Sequence, residues 1–76
     1  MLEIVQAYLE AYSVQIFDVR HLKRNGKPVI TIDGKMPEGN VATFQLRGNT
    51  LYRQRFNHKS REFVTIELIY QFTEIK

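Results

Sequence analysis

The chain has 76 residues, of which 43% are hydrophobic and 25% charged, with no cysteine and a formal net charge of +3. This length fits one small domain spanning 1–76 and excludes a two-domain enzyme, while the lack of cysteine excludes disulfides, thiolate metal sites and cysteine nucleophiles. Glu3 stands where a secretory signal has basic residues, and no stretch approaches the ~18 apolar residues that span a bilayer, so a cytoplasmic protein is expected.

The first two predicted elements are a helix and a strand. Apolar side chains recur three or four residues apart at Leu2, Val5, Leu9 and Tyr12. This spacing predicts an amphipathic helix near residues 2–12. β-branched and aromatic residues then predict a first strand over 14–23, whose mixed parity indicates either burial on both faces or a β-bulge.

Turn signals separate the next predicted strands. Asn25 and Gly26 suit the two positive-φ positions of a type I′ turn, which predicts a hairpin at 24–27. Three further elements follow in chain order: a strand over 28–32, a loop over 33–40 and a strand over 42–47. Gly48 and Asn49 then suit a type II′ turn, because glycine occupies its first central position.

The last two predicted strands carry many of the aromatic residues. Along 51–56, Tyr52 and Phe56 have one parity and Arg53 and Arg55 the other, which predicts that the rings lie in the core and the arginines on a polar face. After a polar turn at 57–60, the cleanest apolar alternation of the chain follows at Val64, Ile66, Leu68, Tyr70 and Phe72. A fifth strand is therefore predicted, at the centre of the sheet.

Together these elements predict an α+β fold that is mostly β. A short N-terminal helix is followed by four or five antiparallel strands in a bent sheet or a small open barrel. The second face of the fifth strand carries Phe63 and Ile69 among polar residues. Because a polar strand face rarely carries two large apolar side chains, these two residues are predicted to meet the helix or to form an oligomer interface.

Charge is segregated along the chain. Two windows without any acid, 20–27 and 47–61, hold nine of the eleven lysines and arginines. Basic side chains interleaved with aromatic rings favour a non-enzymatic binding module for an anionic partner, first of all RNA or DNA. The alternative is that these cations only solvate strands and protect sheet edges. The predicted nucleic-acid contacts are Arg24, Lys27, Arg47, Arg53, Arg55, His58, Lys59 and Arg61.

Two other functions stay open. Small size and the apolar fifth strand also suit a homo-oligomeric assembly subunit. A metal-independent ribonuclease would use His58 as a proton carrier, with Arg53, Arg55, Lys59 and Tyr52 around it. No catalytic residue is assigned, and no cofactor or metal is expected, because the two histidines lack other ligands at suitable spacing.

Two resemblances accompany these hypotheses. The segment 51–56 with the hydrophobic strand after it is similar to the end of small ribosome-dependent endoribonuclease toxins, over the last third of the chain. Those toxins begin with a helical hairpin that is not predicted here, so membership is not assigned. The layout of one helix and five strands also resembles Sm-like RNA-binding rings, without their characteristic strand motifs; this is an analogy of fold alone.

Overall fold

The computed structural model describes residues 2–72, which form one helix and one five-stranded antiparallel sheet. The elements are α1 (Leu2–Ala11), β1 (Gln15–Arg24), β2 (Lys27–Lys35), β3 (Val41–Arg47), β4 (Thr50–Asn57) and β5 (Glu62–Gln71). Each strand pairs with the next, in the order β1-β2-β3-β4-β5, and the sheet stays open. The predicted α+β class, mostly β with a bent antiparallel sheet, is confirmed.

The helix follows its apolar stripe. Val5 and Leu9, one turn apart, are its buried residues, and Glu3 lies in the first turn, where a negative charge interacts favourably with the helix dipole. Two residues after the helix, Ser13 has a left-handed conformation (φ 64°), and the Val14 N–H donates to the Leu9 carbonyl (3.0 Å). No helix within residues 2–72 is long and apolar enough to cross a membrane.

Two hairpin turns have the predicted geometry. Asn25 and Gly26 both have positive φ (53° and 78°), as a type I′ turn requires, and the turn is closed by the pairing of Arg24 with Lys27. In the second turn Gly48 has φ 61°, as expected at the first central position of a type II′ turn. The hairpin at 24–27 and the turn at 48–49 are therefore confirmed.

The helix covers only one face of the sheet. The core on that face joins the buried residues of α1 to apolar side chains of the central strands, among them Ile32, Phe44 and Leu51. Residues opposite each other in register point to the same face. The other face, called here the helix-free face, is centred on two rows of polar neighbours: Thr31, Gln45 and Tyr52 in one, and Thr43, Gln54 and Thr65 in the other.

The predicted central position of the fifth strand is wrong. β5 lies at the edge of the sheet and pairs with β4 alone. Two register shifts in that pairing leave Ile69 and Ile66 without direct partners, so the alternation read from the sequence does not persist on one face. Leu68 is consequently 58% exposed. A similar shift in β1, between Ile16 and Asp18, confirms the bulge that mixed parity had suggested.

The predicted alternation of side chains along β4 is correct, but the predicted core face and polar face are exchanged. Leu51 is fully buried in the core and shares its face with Arg53. Tyr52 and Phe56 lie on the helix-free face, so they are not core residues. The faces were exchanged because two aromatic rings gave the outer face the more apolar composition.

The predicted loop over 33–40 begins too early, since β2 continues to Lys35. Asp33 lies inside that strand and accepts hydrogen bonds from Thr43 Oγ1 (2.7 Å) and Arg20 Nη2 (2.9 Å). At Gly34 a Cβ atom would stand 2.5 Å from Val14 Cγ1. This glycine therefore allows the chain after α1 to approach β2 closely, which is a packing role and not a turn signal.

Candidate nucleic-acid interface

Both basic windows contribute to one open cavity at the end of the sheet. In an antiparallel meander, the β1–β2 turn and the β3–β4 turn lie at the same end. Arg24 and Lys27 flank the first turn, and Arg47 precedes the second. These three cations line a cavity of about 540 Å³, called here the basic cavity, together with Asn25, Pro28, Val29 and Gly48. The predicted contacts Arg24, Lys27 and Arg47 are thus brought together.

The cations of this cavity are not neutralised by neighbouring acids. Among residues 2–72 both ion pairs belong to Arg20, which contacts Asp18 (3.4 Å) and Asp33 (2.9 Å). Within the same residues no carboxylate lies within 4.0 Å of the charged groups of Arg24, Lys27 or Arg47. The cavity therefore concentrates positive charge in a concave site, an arrangement that attracts anions.

Arg47 is held differently from the other two cations. Its guanidinium carbon lies 3.9 Å from the centroid of the Tyr52 ring, which is a cation–π contact, and its Nη2 donates to Thr65 Oγ1 (2.8 Å). Its Nε is buried without a hydrogen-bond partner within residues 2–72. The side chain thus reaches from the end of β3 over β4 to β5 and also lines the basic cavity.

Arg53 and Arg55 lie on the other face of the sheet. Arg53 is opposite Phe44 on β3 and Glu67 on β5. It lines a second cavity, of about 320 Å³, between the sheet and the helix residues Tyr8, Leu9 and Tyr12. Burial is the largest cause of a raised pKa at the Tyr8 phenol. The hydrogen bond with Tyr12 and the charges of Tyr12 and Tyr70 raise this pKa further. The structure does not bring Arg53 or Arg55 to the basic cavity.

The remaining predicted contacts form the β4–β5 turn, at the opposite end of the sheet. Asn57 Oδ1 accepts from the backbone N–H of Lys59 (2.9 Å) and Ser60 (3.4 Å), which orders this turn. The His58 ring stacks on Phe56, with centroids 5.1 Å apart. Since β4 is eight residues long, roughly 25 Å separates this turn from the basic cavity. His58, Lys59 and Arg61 therefore belong to a second basic site.

Arg61 occupies a backbone conformation that favours glycine (φ 56°). Replacement of Arg61 by glycine is expected to raise the free energy of unfolding by about 1 kcal/mol, because a left-handed conformation is unfavourable for a residue with a Cβ atom. Urea denaturation followed by circular dichroism measures this change. Arg61→Ala, which keeps the Cβ atom and loses the same charge, is the matched control; equal stability of the two variants would contradict the explanation.

The structure does not assemble the residues of the ribonuclease hypothesis around one point. Tyr52 and Arg53 point to opposite faces of β4, and His58 lies beyond the end of that strand. Within residues 2–72 no three histidine or acidic side chains gather as they would around a metal ion.

Phe63 and Ile69 do not form one surface. Phe63 packs against Phe56, with ring centroids 5.2 Å apart, whereas Ile69 is half-buried against the core under the helix. The large apolar residues that β5 exposes most are Ile66, Leu68 and Tyr70, at 47%, 58% and 47%. The sequence did not indicate their exposure, because its regular alternation does not reveal the two bulges.

No family model, curated protein or solved structure matches this chain.

Proposed function

We propose that this protein is a small non-enzymatic binding module for single-stranded RNA or DNA. The observation that carries the proposal is the convergence of Arg24, Lys27 and Arg47 on one concave site. Phosphate groups bound there supply most of the affinity, as in other proteins that track a nucleic-acid backbone. The overall charge of +3 is compatible with this partner.

The shape and surroundings of the cavity suit a nucleotide backbone. A volume of about 540 Å³ lies within the range of ligand sites, and the cavity opens to solvent, so a continuous strand can enter and leave it. Arg24 and Lys27 are exposed and pair with each other across a two-residue turn, which holds their backbones side by side at the end of the sheet. Tyr52, whose ring contacts the cavity residue Arg47, lies on the helix-free face and provides an aromatic ring of the kind on which bases stack.

The salt dependence of binding tests the proposal. We expect the affinity for a fluorescein-labelled single-stranded decamer, followed by fluorescence anisotropy, to fall linearly in a plot of log K against log salt concentration. The slope reports about 0.7 per phosphate contact in a single strand. Lys27→Gln is expected to weaken binding and to reduce the slope by about 0.7, because one contact is lost.

Lys35→Gln provides the matched control. Lys27 and Lys35 are the first and last residues of β2, both are exposed, and each replacement removes one positive charge. The control is expected to retain the wild-type slope, because Lys35 lies at the end of β2 away from the basic cavity. Equal effects of the two variants would show a diffuse charge effect, and absence of binding at low salt would overturn the proposed function.

A second candidate function is self-association along β5, and we infer that the partner would be another copy of this chain. The two edges of the sheet differ: β1 carries Arg20, Lys23 and Arg24, whereas β5 has no lysine or arginine. Basic residues on an edge strand discourage pairing with another strand, and in this respect β5, whose charged residues are Glu62 and Glu67 alone, is the less protected edge, although its two bulges also oppose pairing. The exposed side chains of Ile66, Leu68 and Tyr70 add apolar area there.

Self-association would be visible in light scattering. We expect a dimer or larger ring at tens of micromolar, and Leu68→Lys is expected to shift the protein to the monomer, because it places a charge on the pairing edge. Leu22→Lys makes the same change on the opposite edge, at a residue of similar exposure (47%), and should leave the assembly intact. A strict monomer in the wild type would contradict this candidate.

A further inference from the structure

The polar centre of the helix-free face is buried although no helix or strand of residues 2–72 packs on it. Gln45 and Gln54 are only 8% and 5% exposed. The Arg47 side chain lies beside these amides: its guanidinium carbon is 3.9 Å from the ring centroid of Tyr52, the register partner of Gln45, and its Nη2 donates to Thr65, the register partner of Gln54. Arg47 therefore covers one face of the Tyr52 ring and lies next to the two amide residues.

The same cluster contains every buried side-chain polar atom that lacks a hydrogen-bond partner in the described residues. These atoms are Gln45 Oε1, Gln54 Oε1 and Arg47 Nε. Buried polar groups are normally paired, and an unpaired group makes the closed arrangement less favourable. The three atoms lie at one place on the helix-free face, so a single ligand that reaches this cluster can supply the missing partners.

We propose that the helix-free face beneath Arg47 is a nucleobase site. The base takes the place of the guanidinium on the Tyr52 ring and donates hydrogen bonds to Oε1 of Gln45 and of Gln54, the two amide oxygens that lack a partner. Arg47 then turns toward a phosphate in the basic cavity, which it already lines. This inference rests on the proposed function, since it extends the strand bound at the cavity onto the adjacent face.

The chemistry of the cluster selects a base in preference to another ligand. A flat aromatic ring suits stacking, and amide groups pair with the hydrogen-bonding edges of bases. The amides are neutral, whereas the cavity beside them carries three cations, so the combined site suits a ligand with a neutral ring attached to an anionic group. Asp33, in a neighbouring position, is engaged by Arg20 and Thr43, and Gln54 Nε2 donates to Thr65 Oγ1 (2.8 Å), so the two amide oxygens are the groups that remain for the ligand.

The test compares two labelled decamers that share the phosphate backbone, one of deoxyadenosine and one of abasic sites. We expect the deoxyadenosine decamer to bind about tenfold tighter, the effect of stacking one base on an aromatic ring. Tyr52→Leu is expected to remove this difference and to keep the salt slope, whereas Tyr52→Phe retains both. Tyr12→Leu, at a 64% exposed tyrosine of the helix side, is the control and should change neither.

A measurement on the wild-type protein covers the case in which the Tyr52→Leu variant does not fold. In ¹H–¹⁵N spectra the Arg47 Nε–H and the side-chain amide signals of Gln45 and Gln54 should shift with the deoxyadenosine decamer more than with the abasic one. Equal affinities, or a preference for deoxyadenosine without these shifts, would overturn the nucleobase site alone. Failure of both decamers to bind in a salt-dependent way would instead overturn the proposed function.

Discussion

Replacement of Leu51 by alanine is expected to lower the free energy of unfolding by about 3 kcal/mol. Leu51 is fully buried on β4, the strand between β3 and the edge strand β5. It belongs to the cluster that joins the helix to the sheet. The change removes apolar contacts and leaves a cavity that a rigid sheet fills poorly. For a chain of 76 residues the total stability is about 4–11 kcal/mol, so this one substitution removes a large part of it.

Urea denaturation followed by circular dichroism measures the effect, with Leu68→Ala as the matched control. Leu68 undergoes the same chemical change but is 58% exposed, so its replacement is expected to cost less than about 1 kcal/mol. Similar losses for both variants would contradict the assignment of faces on β4 and β5. The comparison thus tests the geometry that places Tyr52 outside the core.

Replacement of Gly34 by alanine is expected to lower the free energy of unfolding by about 2 kcal/mol. The new Cβ would stand 2.5 Å from Val14 Cγ1 and 3.3 Å from the Gln15 carbonyl oxygen. Val14 is buried, so its side chain has little room to move away. Relief of the clash requires a shift of the segment that joins α1 to β1, and the helix would lose packing against the sheet.

A double-mutant cycle separates this clash from a general preference for glycine. In a Val14→Ala background the methyl group at the short distance is absent, so Gly34→Ala should cost less than in the wild type, by about 1 kcal/mol or more. Unfolding curves of the two single variants and the double variant give the coupling energy. Additive effects would show that Val14 does not limit the space at Gly34.

The two basic sites have little contact with this core. Arg24 and Lys27 belong to a turn of exposed residues, and His58, Lys59 and Arg61 to another. Charge-removing variants at these positions are therefore expected to retain the fold, so a change in their affinity for nucleic acid reports the loss of charge and not a loss of structure. Arg47 differs, because its contacts with Tyr52 and Thr65 tie it to the sheet.

The turns could be predicted from the sequence because their chemistry is local. Asn25 and Gly26 tolerate positive φ wherever they occur, so the type I′ hairpin follows from two adjacent residues. Gly48 likewise predicts its turn by tolerating positive φ. The helix α1 is also a local feature, because it follows from the spacing of apolar residues within one segment. Segregation of charge was equally visible along the chain, because it needs only a count of residues in each segment.

The faces of the strands could not be predicted in this way. The aromatic residues Tyr52 and Phe56 indicated a core face, but Leu51 on the opposite parity is the residue that packs under the helix. Which face the helix covers depends on contacts between distant parts of the chain. The bulges that expose Ile66 and Leu68 likewise arise from pairing with β4, which a single strand does not reveal.

The class of fold, the turns and the separation of basic from acidic segments follow from the residues alone, because each depends on residues close together in the chain. The edge position of β5, the separation of Arg53 from Arg47 and the contacts of Arg47 with Tyr52 and Thr65 emerge only when the strands are assembled. These features depend on register and on contacts across three strands, where the energies of many non-local contacts compete and no single residue fixes the outcome.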